Sequence, residues 1–395
     1  MPIRLIHVMT VPDSLPFLRG QAGYMRAHGI ETQVISSPGA GLAQFGADEQ
    51  VSTAAVPMPR RITPLADCRS VLQLARELRR RRPSIVHAHT PKGGLLGMIA
   101  ACIARVPVRI YHISGLPFVT AGGPRRFLLR ATERVSCALA HRVLCVSRSV
   151  RDAAVAERVC APDKIAVLLG GSINGVDAAE RFNPARHAGA REAIRAHLGI
   201  PQDALVIGFV GRLVRDKGVA ELARMFQLLR EEMPQLHLLL VGGFEPQDPV
   251  DPRIRQQLAE DPRVHEVGFN WNTPPYYAAI DVLALPTWRE GFGVVLIEAA
   301  AMALPVVATR IPGCVDAVED DVTGVLVPPR DAQALAAAVR AYLADPVLAG
   351  SHGAAGRTRV LRDFQQEMMW AALHDFYRAL LLERGVAWSA PPERP

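Results

Sequence analysis

Lysine is almost missing from this chain. Lys92, Lys164 and Lys217 are the only three, and the other 42 of the 45 basic residues are arginines. Such a bias follows from a GC-rich genome, so a single arginine carries little functional weight and each lysine carries more. Paired cysteines are missing too. The six present (Cys68, Cys102, Cys137, Cys145, Cys160 and Cys314) are scattered without a CxxC pair. That excludes a disulfide framework or a zinc ribbon and suits reduced thiols in a cytosol. No apolar run is long enough to span a bilayer: Gly93–Ala104 is uncharged but far short of the ~20 residues required. A second run, Gly291–Ala308, is broken by Glu298 and Pro305. The N-terminus, MPIRLIHVMTVP, lacks an apolar signal region and a cleavage site, so it reads as a first strand. No GxGxxG turn follows that strand, which argues against a dehydrogenase. The expected location is the cytoplasm.

With 49% hydrophobic and 21% charged residues, the composition is that of a globular protein. The length of 395 residues suits two domains, at about 150 residues each. Charge is divided unevenly: residues 1–170 hold 23 basic and 10 acidic side chains, residues 171–395 hold 22 and 28. A basic half points to an anionic partner, whether nucleic acid, membrane surface or phosphorylated substrate.

Short β-rich runs alternate with helical patterns throughout, which argues for parallel sheets flanked by helices. The expected strands are 3–9, 31–37, 84–90, 109–114, 141–147 and 164–169, then 204–213, 236–243, 263–269, 281–287 and 305–309. Segment 174–189 is polar and marked by glycine and proline, as a linker is. The fold class is therefore α/β, with two Rossmann-like domains facing across a cleft. Residues 1–173 form the first and 190–363 the second, and a helical tail over about 364–388 returns to the first. Residues 389–395 are expected to fray.

In open parallel sheets, ligands sit outside the carboxyl ends of the strands, beside helix N-termini that favour anions. One strand-to-helix loop there, in GFVGRLVRDKGV (208–219), carries Arg212 and Lys217. An Arg fork and a mobile Lys charge together suit a diphosphate, although a solvated surface loop fits the same residues. Another, REGFGVVLIEAAAMALPVVATRIPG (289–313), places Glu290 in a loop and Glu298 inside a helix beginning near Phe292. The helix amides around Gly291, Phe292 and Gly293 then face a ligand. Glu298 has apolar neighbours, where an unpaired carboxylate is costly. It suits two ribose hydroxyls, or an Arg partner on the helix face.

GRLVRDKG (211–218), EGFGVVLIEA (290–299), ALPVVAT (303–309), IPGCVDAVEDDVTGVLVPP (311–329) and INGVDAAERFNP (173–184) together resemble a family-4 glycosyltransferase of the GT-B fold. The resemblance runs from the first strand to about residue 345. SLPFLRGQ (14–21), VHAHTPKGGLLG (86–97) and YHISGLPF (111–118) are similar to the bacterial branch that builds capsule, exopolysaccharide and other lipid-linked glycans. The resemblance implies a retaining transfer from a nucleotide sugar, uridine being the favoured base, without a metal or other cofactor. Arg212 and Lys217 would hold the diphosphate and Glu298 the ribose. Glu290 with the amides of Gly291, Phe292, Gly293 and Val294 would meet the transferred sugar and β-phosphate. Gly20 would let the backbone approach the donor phosphates.

One position departs from the family pattern. The histidine that contacts the sugar near the end of strand 109–114 is matched here by Ser114, with His112 two residues earlier on the same face. His112 is the favoured substitute, and a buried structural histidine is the alternative. His87 and His89 share a strand face, but no third ligand is evident and a metal is not expected. Lys92 opens a Gly-rich turn and is assigned to an acceptor phosphate, so Lys92→Ala should raise the acceptor KM. Helix 124–142 sets Phe127, Leu128, Ala131, Val135 and Leu139 beside Arg125, Arg126, Arg130, Arg134 and Arg142. It could lie on an anionic membrane at the inner face, or pack as an ordinary helix with a wet arginine face. Partners are thus the donor, a glycan or lipid-linked glycan acceptor and an anionic membrane. Nucleic acid is not expected, since no reading element is present. The alternative function is a nucleotide-sugar-binding or epimerase-type protein on the same fold.

Overall fold

The computed structural model describes residues 3–388, and segment 389–395 lies outside them. The chain divides into two compact units, residues 1–175 with 366–395 and residues 176–365.

The first unit holds seven parallel strands: β1 (Ile3–Val8), β2 (Ile30–Ser36), β3 (Ser52–Ala55), β4 (Ile85–His89), β5 (Val108–Ile113), β6 (Arg142–Cys145) and β7 (Ile165–Ala166). Their order is β3-β2-β1-β4-β5-β6-β7. The second unit repeats the pattern with β8 (Leu205–Val210), β9 (Leu236–Val241), β10 (Val264–Gly268), β11 (Val282–Leu285), β12 (Val306–Thr309) and β13 (Val325–Val327). Its order is β10-β9-β8-β11-β12-β13. Each unit starts at its centre, builds outward, then returns to build the other side, so β1/β4 and β8/β11 are the points where the order reverses. Crevices at such points bind ligands in doubly wound sheets.

Helices cover both faces of the first sheet, which explains why its strands read as nearly continuous apolar runs. One face packs Ile6, Val8, Val86, Ala88, Tyr111 and Ile113 into a core with helix Pro91–Ile103. Gly94 in that helix sits against the Tyr111 ring, and a Cβ there would lie 2.0 Å from Tyr111 Cε2. The other face packs Ile3, Leu5, Ile85, Val108 and Ile110 against Leu373, Tyr377 and Leu380 of helix Gln366–Glu383.

The expected linker is divided between the units. Asn174 bonds within the first unit, to Arg19 O and the Trp370 indole. From Val176 onward the segment belongs to the second, with Arg357 donating to the carbonyls of Ala178 and Phe182 at 3.2 Å each. Strand 164–169 shrinks to Ile165–Ala166, and two short edge strands, β3 and β13, join the expected set.

Candidate functional site

In the second unit the loops leaving β8 and β11 meet where the strand order reverses. The first runs through the tight turn Arg215–Lys217, and Gly218 then opens helix Val219–Glu232. Gly218 has φ +72°, and a Cβ there would lie 1.9 Å from Pro286 O. Only glycine lets the two loops come this close. Hydrogen bonds lace them: Trp288 N–H donates to Asp216 O at 2.8 Å, and the Arg289 guanidinium bonds the Asp216 carboxylate at 3.1 Å. Across this junction Lys217 Nζ pairs with Glu290 Oε1, both side chains more than four-fifths buried. Arg212 stands at the loop's more exposed edge and pairs with Glu245 at 2.9 Å.

Helix Val294–Ala301 begins two residues later than expected, because Gly293 takes φ +74° as its N-cap and holds Phe292 out of the helix. Gly291 and Phe292 therefore lie in the approach loop. Gly313 (φ +90°) packs against that loop, and a Cβ there would come within 2.7 Å of Gly291 O. Val294 begins the helix, whose first amides find no helical acceptor and favour an anion.

Glu298 lies mid-helix. Its carboxylate accepts from the Tyr277 hydroxyl at 2.9 Å rather than from an arginine fork. The carboxyl keeps a little accessible surface but is walled by apolar groups. Burial pushes its pKa up to about 7, partly opposed by the Tyr277 hydrogen bond and by Arg181. The fully buried Tyr277 phenol is pushed well above its ordinary range, first by burial and then by Glu298.

In the first unit the sheet face under helix Gln366–Glu383 changes character towards the carboxyl ends of its strands. Ile3 and Leu5 give way to His7, Ile85 to His87 and His89, and Val108 and Ile110 to His112. Register brings His7 opposite His87, and His89 opposite His112. His112 is buried, stacks on His87 with centroids 5.2 Å apart, and is lowered by burial to about 4. Ser114 follows just beyond β5, and its Oγ, like His112 Nδ1, is buried without a hydrogen-bond partner. Gly20 (φ +79°) caps helix Gln21–Ala27. Its N–H is shared between both Glu49 oxygens at 3.0 Å, and Trp370 covers its Cα.

Comparison with known proteins fits this geometry to a family. The glycosyl transferase 4-like domain family matches residues 16–171 and glycosyl transferases group 1 matches residues 204–345. The capsular polysaccharide biosynthesis glycosyltransferase CapM of Staphylococcus aureus is 32% identical over 380 residues, covering 96% of this chain and 98% of the relative. The chain belongs to the family-4 glycosyltransferases. It is a hexosyltransferase of GT-B fold. An Escherichia coli UDP-Gal:alpha-D-GlcNAc-diphosphoundecaprenol alpha-1,3-galactosyltransferase is 28% identical over 306 residues, or 76% of this chain and 77% of that one. Among solved structures, HepE of Anabaena with UDP and glucose superposes with a TM-score of 0.79 at 22% identity, covering 96% of this chain and 100% of HepE.

Two residues of this glycosyltransferase gained partners that the sequence did not reveal. Lys92 pairs with Asp67 at 2.7 Å and donates to Arg61 O, tying helix Pro91–Ile103 to the start of helix Pro64–Arg81. Lys92→Ala is expected to lower the melting temperature by a few degrees, the size of losing an ion pair more than four-fifths buried with its hydrogen bonds. A raised acceptor KM with unchanged nucleotide affinity would give it the acceptor role as well, and an unchanged acceptor KM would confine it to that tie. His7 is not singled out by the sequence, which offers His87 and His89 a common face but not their neighbour.

Helix Gly123–Leu139 leaves Phe127, Leu128 and Val135 exposed along one side, at 69%, 44% and 43%. Leu139, by contrast, packs on the core. Arg126 and Arg130 both pair with Glu157. Among the described residues no helix is long and apolar enough to cross a membrane.

Proposed function

We propose that this enzyme moves a sugar, with retention of anomeric configuration, from a UDP-sugar to a glycan carried on a polyprenyl diphosphate, in cell-surface polysaccharide synthesis. The observation that carries the reading is the Lys217–Glu290 pair where the β8 and β11 loops meet. It sets a cation and a carboxylate side by side at the carboxyl ends of the strands, which supports a diphosphate clamp beside a sugar contact. The nucleotide sugars and diphospholipid acceptor named for the relatives support the same substrate classes.

In this reading Glu298 accepts the ribose hydroxyls, and Lys217 and Arg212 turn from their carboxylates to the donor diphosphate. The bond between the anomeric carbon and the diphosphate oxygen breaks with its electrons leaving on UDP. The two cations, once turned, and the helix amides at Val294 stabilise that charge, so the step needs no metal or cofactor. Glu290 and the backbone of Gly291, Phe292 and Gly293 orient the sugar. His112, a neutral imidazole at pH 7, takes the family histidine's part from one residue pair further back, beside Ser114. Gly20 can serve the donor phosphates only once its amide leaves Glu49. The acceptor oxygen attacks the face from which UDP departs, and its proton leaves with the UDP phosphate.

The test is transfer from each UDP-sugar to a GlcNAc-diphosphate polyprenol, with the new linkage read from the anomeric proton coupling. An α product from an α-linked donor is expected, and an inverted one overturns retention. The membrane part of the proposal rests on the exposed Phe127–Leu128–Val135 side and its flanking arginines. Each basic residue near an anionic leaflet contributes roughly 1 kcal/mol. Co-sedimentation with anionic vesicles, reversed by salt and weakened in Phe127→Ser/Leu128→Ser, is the expected outcome. Equal binding to neutral vesicles would overturn it.

A further inference from the structure

We propose that His7, His87 and His89 form a transition-metal site, best suited to Zn²⁺, which pins β1 to β4 at the centre of the first sheet. One nitrogen from each ring lies within 4.8 Å of the others, and all three residues are buried. This is separate from the sugar-transfer chemistry assigned to the second unit, and it lies directly against His112, which stacks on His87.

Ring nitrogens are available to a metal. His87 Nε2 is buried with no hydrogen-bond partner, and His7 Nδ1 and His89 Nε2 face one another across the cluster.

The surroundings fit ligation as well. His87 Nδ1 lies 2.6 Å from the Tyr377 hydroxyl. A proton on Nδ1 donated to that oxygen fixes the tautomer that leaves Nε2 bare, the kind of outer hydrogen bond that orients metal-binding histidines. His7 Nδ1 and His89 Nε2 are 2.9 Å apart. Two imidazoles on one tetrahedral Zn²⁺ at its usual bond length sit about 3.3 Å apart, so a small ring movement converts this contact into a shared ligand set. His87 and His89 also line a small cavity together with His112, Cys145, Ser172 and Met369. Imidazole-only donors select Zn²⁺ and its neighbours over Mg²⁺ or Ca²⁺.

The test uses the full chain without a polyhistidine tag, stripped with chelator, incubated with ZnCl2 and gel-filtered before elemental analysis. About one zinc per chain is expected in the wild type and less than a tenth of that in His7→Gln and His89→Gln. His265→Gln is the control. Its pair with His237, 2.9 Å apart, lies in the second unit, and its zinc content should match the wild type. Because a core variant can misfold, Co²⁺-loaded wild type is examined in parallel by X-ray absorption, where a first shell of imidazole nitrogens without sulfur is expected. Zinc below a tenth per chain in the wild type overturns the site. So does retention unchanged in both variants, or a sulfur-containing shell.

Discussion

Lys217→Ala is expected to lower kcat/KM for sugar transfer by at least about 100-fold, the effect of deleting one preorganised charge that meets a developing anion. Two things are lost together. The leaving diphosphate loses its most buried cation, and Glu290 is left as a carboxylate with no counter-charge at the junction of two loops. The cheapest check is thermal. UDP at 100 times its Kd should stabilise the wild type by about 2.7 kcal/mol, a shift of a few degrees for domains of this size. GDP, ADP and CMP serve as comparisons. In Lys217→Ala the UDP shift should vanish, and the ligand-free melting temperature should fall by a few degrees because Glu290 stays buried without its counter-charge. Arg212→Ala should lose less, because its side chain is 48% exposed and already shared with Glu245. Lys164→Ala, whose ammonium donates to the Ala138 carbonyl in the first unit, should keep the UDP shift. A Lys217→Ala enzyme that keeps both its UDP shift and its transfer rate would remove the donor clamp from the mechanism.

The alternation of strands and helices was legible because both sheets are parallel and covered on both faces, so most strands are runs of Val, Ile and Leu. Where that signal is thin the reading failed. STAA in β3 is an edge strand of small side chains, and VLV in β13 is three residues between Gly324 and Pro328. The helix after β11 starts two residues beyond the sequence expectation, because glycine propensity does not say which of Gly291 and Gly293 takes the left-handed conformation. Functional loops could be located from their cations and glycines, but not their pairing. Nothing in the local sequence joins Lys217 to Glu290, 73 residues apart, until the sheet order sets β8 beside β11. The same is true of the histidines. Alternation puts His87 and His89 on one face, and only the parallel pairing of β1 with β4 brings His7 to them.

A second large effect follows from Glu298, and it runs with pH. The carboxyl is near 7 in the folded chain against an ordinary 4.5. Between those values an unfolded chain has lost the proton that the folded chain still holds, so stability falls as pH rises from about 4.5 to 7 and is flat above. The full penalty is of order 3 kcal/mol, reduced by the surface the carboxyl retains. Glu298→Gln carries no charge and keeps a carbonyl for the Tyr277 hydroxyl. It should match the wild type near pH 4 and melt several degrees higher at pH 8.5. Donor binding shows the opposite sign. Ribose hydroxyls are better held by the carboxylate than by the acid, so binding expels the proton and affinity for a UDP-sugar should tighten through pH 7 and level off near 8. UDP-glucose is a better probe than UDP, since its diphosphate diester has no proton to lose in that range, whereas a terminal phosphate has one near 6. Glu298→Gln should bind at least about 10-fold more weakly than the wild type at pH 8, with no pH dependence, as expected when a charged hydrogen-bonding partner is lost. Calorimetry at pH 6, 7 and 8 measures both the affinity and, through buffers of different ionisation heat, the proton released. A wild-type affinity that stays flat across that range, with no proton released, would take Glu298 out of the ribose contact and leave it a structural partner of Tyr277.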